Sequence, residues 1–235
     1  MNHMNGDKTD LRGTWMQAVC SLVVPVLLVL VFRWLLIEPF VIPSESMVPN
    51  LQIHDHILVN KLKYGIKIPF MDRWILMWSQ PRRGDIVVFK YPENPNTYFV
   101  KRLIGVPGDH IEVSSRGLKV NGHELEHREL GVPGSIENGS LAFTEINENN
   151  EYTVQFELEQ SSPGVQEINV PPGMYFMMGD NRDHSNDSRY WGFVKADYLI
   201  GPARFIWLSC EQMLESQPHV CDPSTIRWKR IGTLL

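Results

Sequence analysis

Four stretches of this chain carry side chains that could do chemistry. His123-Glu124-Leu125-Glu126-His127 matches H-E-x-x-H, in which two imidazoles hold a zinc ion and the glutamate is a general base. That chemistry needs a helix, where residues i and i+4 share a face and reach one ion. Here the motif follows Asn121-Gly122, a pair suited to a tight hairpin turn. In a strand, i and i+4 lie about 13 Å apart, so polar residues on a strand and turn are the better reading and no metal is expected. His54-Asp55-His56 likewise reads as a solvated turn before a strand. Residues 179–189 form the densest polar run. Counted from Asp183, the sixth position is Ser188 rather than Gly and the twelfth is Val194 rather than Glu, which fails the EF-hand pattern. Apolar flanks at 175–178 and 190–194 would pack this run on a core, and its alternating acids and arginines suggest an ion-pair loop that positions something. Ser46, between Pro43 and Pro49, reads by itself as a turn residue.

Placed beside Tyr98-Phe99-Val100-Lys101-Arg102-Leu103-Ile104-Gly105-Val106-Pro107-Gly108-Asp109, that serine takes on a second meaning. These segments, with Arg83-Gly84-Asp85-Ile86-Val87-Val88-Phe89-Lys90-Tyr91-Pro92 and residues 179–194, resemble the ordered boxes of bacterial type I signal peptidases. The resemblance runs in order from about Pro39 to Ile206, and residues 109–171 match poorly. It implies a serine–lysine endopeptidase with no cofactor. A serine hydroxyl needs a base to take its proton. A lysine serves only when neutral, so its pKa must fall from about 10.4 towards operating pH, which burial achieves. Lys101, between Val100 and Leu103, suits a desolvated amine, although without the boxes it would read as a surface strand lysine.

By this resemblance Ser46 is the nucleophile and Lys101 the general base. Ser44 corresponds to a hydroxyl that helps the Ser46 N–H stabilise the oxyanion, and Ser185 to the serine that orients the lysine amine. Asp180, Arg182, Asp187 and Arg189 correspond to an ionic framework. Met47, Leu51, Phe99 and Val100 would form small, shallow pockets favouring Ala-like residues at the first and third positions before the cut. The sequence departs from the pattern at Glu45, where Gly is commonest, and at Asn50, where Thr is common.

What must position these groups is a β-rich body behind an apolar N-terminus. Sixteen prolines and seventeen glycines, widely scattered, favour many turns and an all-β body. Strand-like runs fall at 53–62, 85–91, 97–104, 174–178 and 203–208, with a hairpin at 118–125. The fold class expected is antiparallel β: a catalytic core over 38–108 and 171–235, with a more polar β subdomain, 109–170, inserted. No charged residue occurs between 13 and 32, and twenty helical residues rise about 30 Å, so 13–37 is expected to be one transmembrane helix. Trp15 and Trp34 would sit at its interfaces, with Arg33 able to snorkel. Lys8 and Arg12 in the segment 1–12 favour a cytoplasmic N-terminus, placing the body on the outer side of a bacterial cytoplasmic membrane. The apolar run 70–78 is too short to span, and reads as a core element or as a loop dipping into the lipid interface.

The partners implied are preprotein signal peptides, membrane lipid and the secretion translocon. A net charge of −5 gives no basic field for nucleic acid. Cys20 falls in the apolar run, while Cys210 and Cys221 either close a short loop as a disulfide or remain two thiols. Two rivals stand beside the endopeptidase. Self-cleaving repressors share a serine–lysine β fold, but the apolar span and the lack of a basic helix-turn-helix segment oppose that reading. A non-catalytic membrane-anchored β binding module would not need Ser44, Ser46, Lys101 and Ser185 together.

Overall fold

The computed structural model describes residues 15–68, 71–114, 117–129, 140–147, 150–157, 166–215 and 217–235. The segment 1–12, with Lys8 and Arg12, lies outside the described residues, as do Phe70 and parts of the poorly matching region. The chain divides into two units, 1–36 and 37–235.

The first unit carries helix α1, Trp15–Leu36, in which Pro25 is accommodated. Its described side chains, Trp15 to Val29, are all exposed. Among the described residues no helix is long and apolar enough to cross a membrane, so the structure shows the helix but not the expected span.

The second unit is almost entirely strand. In chain order it holds β1 Ile37–Val41, β2 Asp55–Asn60, β3 Gly65–Lys67, β4 Trp74–Met77, β5 Ile86–Tyr91 and β6 Asn94–Gly105. Next come β7 His110–Val113, β8 Leu118–Val120, β9 His123–Glu124, β10 Glu126–Glu129, β11 Ser140–Asn147, β12 Asn150–Glu157 and β13 Gln166–Asn169. The chain closes with β14 Met174–Met178, the short helix α2 Ser188–Trp191, β15 Val194–Lys195, β16 Leu199–Ser209, β17 Met213–Leu214 and β18 Gln217–Cys221.

The main sheet has seven strands in the order β1-β2-β16-β5-β6-β14-β15, each neighbouring pair antiparallel. Strand β5 shows why it forms. Ile86 and Val88 enter one apolar cluster, while Val87 and Phe89 enter another, so the strand is buried on both faces. Residues 110–169 make two further sheets, β13-β7-β8-β9 and β10-β11-β12. The β8–β9 turn needs positive φ at both central residues, which Asn121 (54°) and Gly122 (80°) supply.

One sequence expectation changes here, and two open alternatives are decided. Asp55 and His56 are buried at the start of β2 rather than in a solvated turn. Asp55 accepts hydrogen bonds from Ser209 Oγ (2.6 Å), Gln52 N (2.8 Å) and Arg230 (Nη2–Oδ2 2.5 Å), and these partners offset the cost of burying its charge. The apolar run near 70–78 carries β4, which pairs with β3; Trp74 and Met77 pack against a core cluster, while Met71, Ile75, Leu76 and Trp78 are exposed. Cys210 and Cys221 form a disulfide with Cα atoms 5.7 Å apart.

Candidate active site

Ser46 sits on a single 3-10 turn, Glu45–Met47, between β1 and β2. The turn is anchored from below by Met47 and from its exit by Leu51, both fully buried with Ile42, Ile57 and Val88. From the other side, Asn181 donates its backbone N–H to the Ser46 carbonyl (3.1 Å) and its side-chain amide to the Glu45 carbonyl (3.3 Å). The backbone on both sides of the hydroxyl is therefore pinned.

Lys101 comes from β6, where it pairs in register with Val87 of β5. Its amine lies 2.5 Å from Ser46 Oγ. Lys101 is only 4% exposed and Ser46 8%. Burial pushes the Lys101 pKa down to about 8, against the opposing pull of the Asp187 and Asp180 charges and with slight help from Arg189. Its Nζ also stands 5.5 Å from the centre of the Phe99 ring. Among the described residues no carboxylate comes within ion-pair distance of it. An amine in this position, once neutral, can take the proton of the hydroxyl beside it.

Ser44 Oγ lies 3.3 Å from Ser46 Oγ. Ser185 is buried, and its hydroxyl has no hydrogen-bond partner among the described residues. It presses on Gly179 instead. A Cβ at Gly179 would fall 2.3 Å from Ser185 Oγ and 2.4 Å from the Ser46 carbonyl oxygen, so only glycine fits there.

The loop between β14 and α2 is an ion-pair scaffold, but its pairings are mostly not internal. Asp187 and Arg189 do pair with each other (2.7 and 2.9 Å), and Asp187 also accepts the Gly179 N–H. Asp180 instead takes Arg102 from β6 in a bidentate bond (2.6 and 2.7 Å), together with the Asn50 amide (2.7 Å). Arg182 takes Glu145 of β11, again bidentate (2.7 and 2.8 Å). Burial opposes the charge on Glu145, yet Arg182, with hydrogen bonds from His127 and Tyr152, holds its pKa down to about 2. Arg102, Glu145, Asn50 and Asn181 are parts of the scaffold that sequence reasoning missed. Arg102 adjoins Lys101 in its box and carried that signal, whereas Glu145 lies in the poorly matching region and carried none.

An open cleft of about 650 Å³ runs beside the serine, lined by Phe40, Ile42, Met47, Phe99, Val100 and Lys101 among others. Met47, Phe99 and Val100 thus stand where substrate could touch them. Leu51 is not among the residues that line the cleft and packs in the cluster beneath the turn, whereas Met47, in the same cluster, borders both. His123 and His127 lie on β9 and β10 and not on a helix, and His127 bonds to Glu145 (2.9 Å). Among the described residues no three His, Cys, Asp or Glu side chains are grouped so as to hold a metal ion.

A family model described as signal peptidase, peptidase S26, matches residues 15–208. The chain belongs to that family. It is 40% identical over 202 residues to a signal peptidase I of Pseudomonas fluorescens, an overlap of 79% of this chain and 70% of the relative. A signal peptidase I of Pseudomonas aeruginosa is 40% identical over 200 residues, with the same shares covered. A crystal structure of a signal peptidase I from Enterococcus faecalis is 36% identical, with a TM-score of 0.35, covering 53% of this chain and 97% of that one. Ser46, Lys101 and the loop 179–187 all fall within the matched S26 region.

Proposed function

We propose that this chain is a serine endopeptidase that removes N-terminal signal peptides from exported preproteins after Ala-x-Ala-like sites. The observation that carries the mechanism is the 2.5 Å contact between the Lys101 amine and the Ser46 hydroxyl, with the amine buried and its pKa brought down to about 8. Neutral Lys101 takes the Ser46 proton as Oγ attacks the scissile carbonyl. The Ser46 N–H and the Ser44 hydroxyl stabilise the oxyanion, and Lys101 returns the proton to the leaving amine. Water, activated by the same amine, then releases the signal peptide from Ser46. Ser185, next to Gly179 and without another partner, orients the amine when it is neutral.

The apolar run 13–37 serves as a single membrane anchor, with the N-terminus cytoplasmic and the β body on the extracytoplasmic face. Anchoring confines enzyme and preprotein to one surface, and so raises their effective concentration. Bilayer lipid and the secretion translocon are its neighbours there. Residues 38–108 and 171–235 form the catalytic core, and 109–170 an inserted subdomain whose Glu145 braces the site loop through Arg182.

The test is cleavage of a preprotein carrying Ala-x-Ala by wild type, Ser46→Ala and Lys101→Ala, each with and without a zinc chelator. Cleavage by wild type alone, indifferent to chelator, supports the reading. Cleavage that survives both substitutions but stops with chelator contradicts it and returns His123 and His127 to consideration, whereas no cleavage by wild type favours a non-catalytic binding module.

A further inference from the structure

Glu45 precedes the proposed nucleophile, and its side chain is exposed. Its backbone carbonyl is used twice, by Val48 N and by the Asn181 amide. Its carboxylate has no hydrogen bond or ion pair among the described residues. It lines a second pocket of about 390 Å³, together with Asn181, Gln155, His184, Glu211 and Arg227. His184 lines both this pocket and the larger cleft, so the two spaces meet around the serine turn.

The two spaces differ in chemistry. The larger cleft is walled largely by Phe40, Ile42, Met47, Phe99 and Val100, which suits the small apolar residues before the cut. The second is mixed: Val48 and Ile53 line it beside Glu45, Gln52, Gln155, Glu211 and Arg227. A peptide with its scissile carbonyl at Ser46 Oγ occupies the first with one end and must leave by another route with the other. The Arg227 guanidinium donates to Gln52 Oε1 and to the carbonyls of Ile53 and Cys210. His184 is paired with Glu157 at 2.6 Å. Among the described residues the pocket thus offers a departing chain two carboxylates without a partner, Glu45 and Glu211, against one guanidinium, Arg227, whose bonds go to neutral acceptors. Glu45 adjoins Ser46 in the chain and lines the space that meets the cleft at His184, so a chain that leaves the cleft by that space carries the residues after the cut, spaced about 3.3 Å apart, past Glu45.

We infer that Glu45 is a specificity-determining residue that favours preproteins with a lysine or arginine among the first residues after the cut. This rests on the endopeptidase reading above. An attraction at a solvated site is modest, so reversing the substrate charge changes the rate by about fivefold rather than by orders of magnitude.

The test uses the full chain in detergent and two preproteins that differ only at the second residue after the cut, Lys in one and Glu in the other. The readout is the ratio of their kcat/KM values at low and high salt. Wild type is expected to favour the Lys substrate by about fivefold at low salt, with the ratio falling towards one as salt screens the charge. Glu45→Gln should bring the ratio near one, and Glu45→Lys should invert it. A role for Glu45 in structure alone would slow both substrates alike and leave the ratio unchanged. A wild-type ratio near or below one, or a Glu45→Gln ratio equal to wild type, overturns the inference while leaving the endopeptidase intact. Failure of wild type to cleave either substrate overturns the endopeptidase reading, and this inference with it.

Discussion

Arg102 holds Asp180 in a buried bidentate pair, Nε–Oδ1 2.6 Å and Nη2–Oδ2 2.7 Å, one residue along β6 from Lys101. The pair explains how a lysine so near two acids keeps a low pKa. Asp180 is already neutralised by a guanidinium, and Asp187 by Arg189, so their pull on Lys101 does not outweigh its burial. Arg102 itself is held on three sides, with its guanidinium 3.8 Å from the Tyr152 ring centre and an N–H donated to the Gly84 carbonyl at 2.7 Å.

Removing that guanidinium should have two effects. Arg102→Met leaves Asp180 as an unpaired buried charge and is expected to cost about 3–5 kcal/mol of stability, read from denaturant unfolding. In the protein that remains folded, the freed Asp180 charge should raise the Lys101 pKa, moving the rise in kcat/KM to higher pH.

Ser46 and Lys101 stand out in the sequence only through the family resemblance, because by themselves a serine between prolines reads as a turn residue and a lysine in an apolar run as a surface strand residue. Residues 179–189 were legible as an ion-pair loop, but their partners were not. Arg182 finds Glu145 and Asp180 finds Arg102 across separations of 37 and 78 residues, which only the closed sheet brings together. Local polarity misled at Asp55, because a buried aspartate with four donors has the same spelling as a solvated one. Leu51 lies beneath the serine turn in the core cluster, a place that its position in the sequence box does not distinguish from one in the cleft wall.

The Glu145–Arg182 pair predicts acid behaviour. The Glu145 pKa is depressed from 4.5 to about 2, so its contribution is fully present above about pH 4.5 and is lost as pH falls towards 2. Glu145→Gln should be less stable than wild type at pH 7, because Arg182 is left buried without its counter-charge, and should lose less on acidification. Melting curves between pH 2 and pH 7 check both statements.

Gly179→Ala is a test of packing against the turn that holds Ser46, the proposed nucleophile. The new Cβ would enter space held by Ser185 Oγ and the Ser46 carbonyl, 2.3 and 2.4 Å away, so the serine turn must shift. A displacement of about 1 Å at a reacting group costs roughly 100-fold. That loss is expected in kcat, and the variant's melting temperature separates it from unfolding.

Lys101→Arg asks whether length and charge suffice without a removable proton. A guanidinium stays charged at any working pH, so it cannot act as base, and kcat should fall by about 10³-fold. Near-normal turnover would show that Lys101 acts through charge rather than proton transfer.

The most direct measurement is the pH dependence of kcat/KM for wild-type cleavage of a preprotein, which reports the titration of the free enzyme's essential base. With the Lys101 pKa lowered to about 8, the rate should climb about tenfold per pH unit below that value and level off above it. A profile that is flat across pH 6–9, or still climbing tenfold per unit at pH 10, contradicts a buried neutral lysine as the base for Ser46.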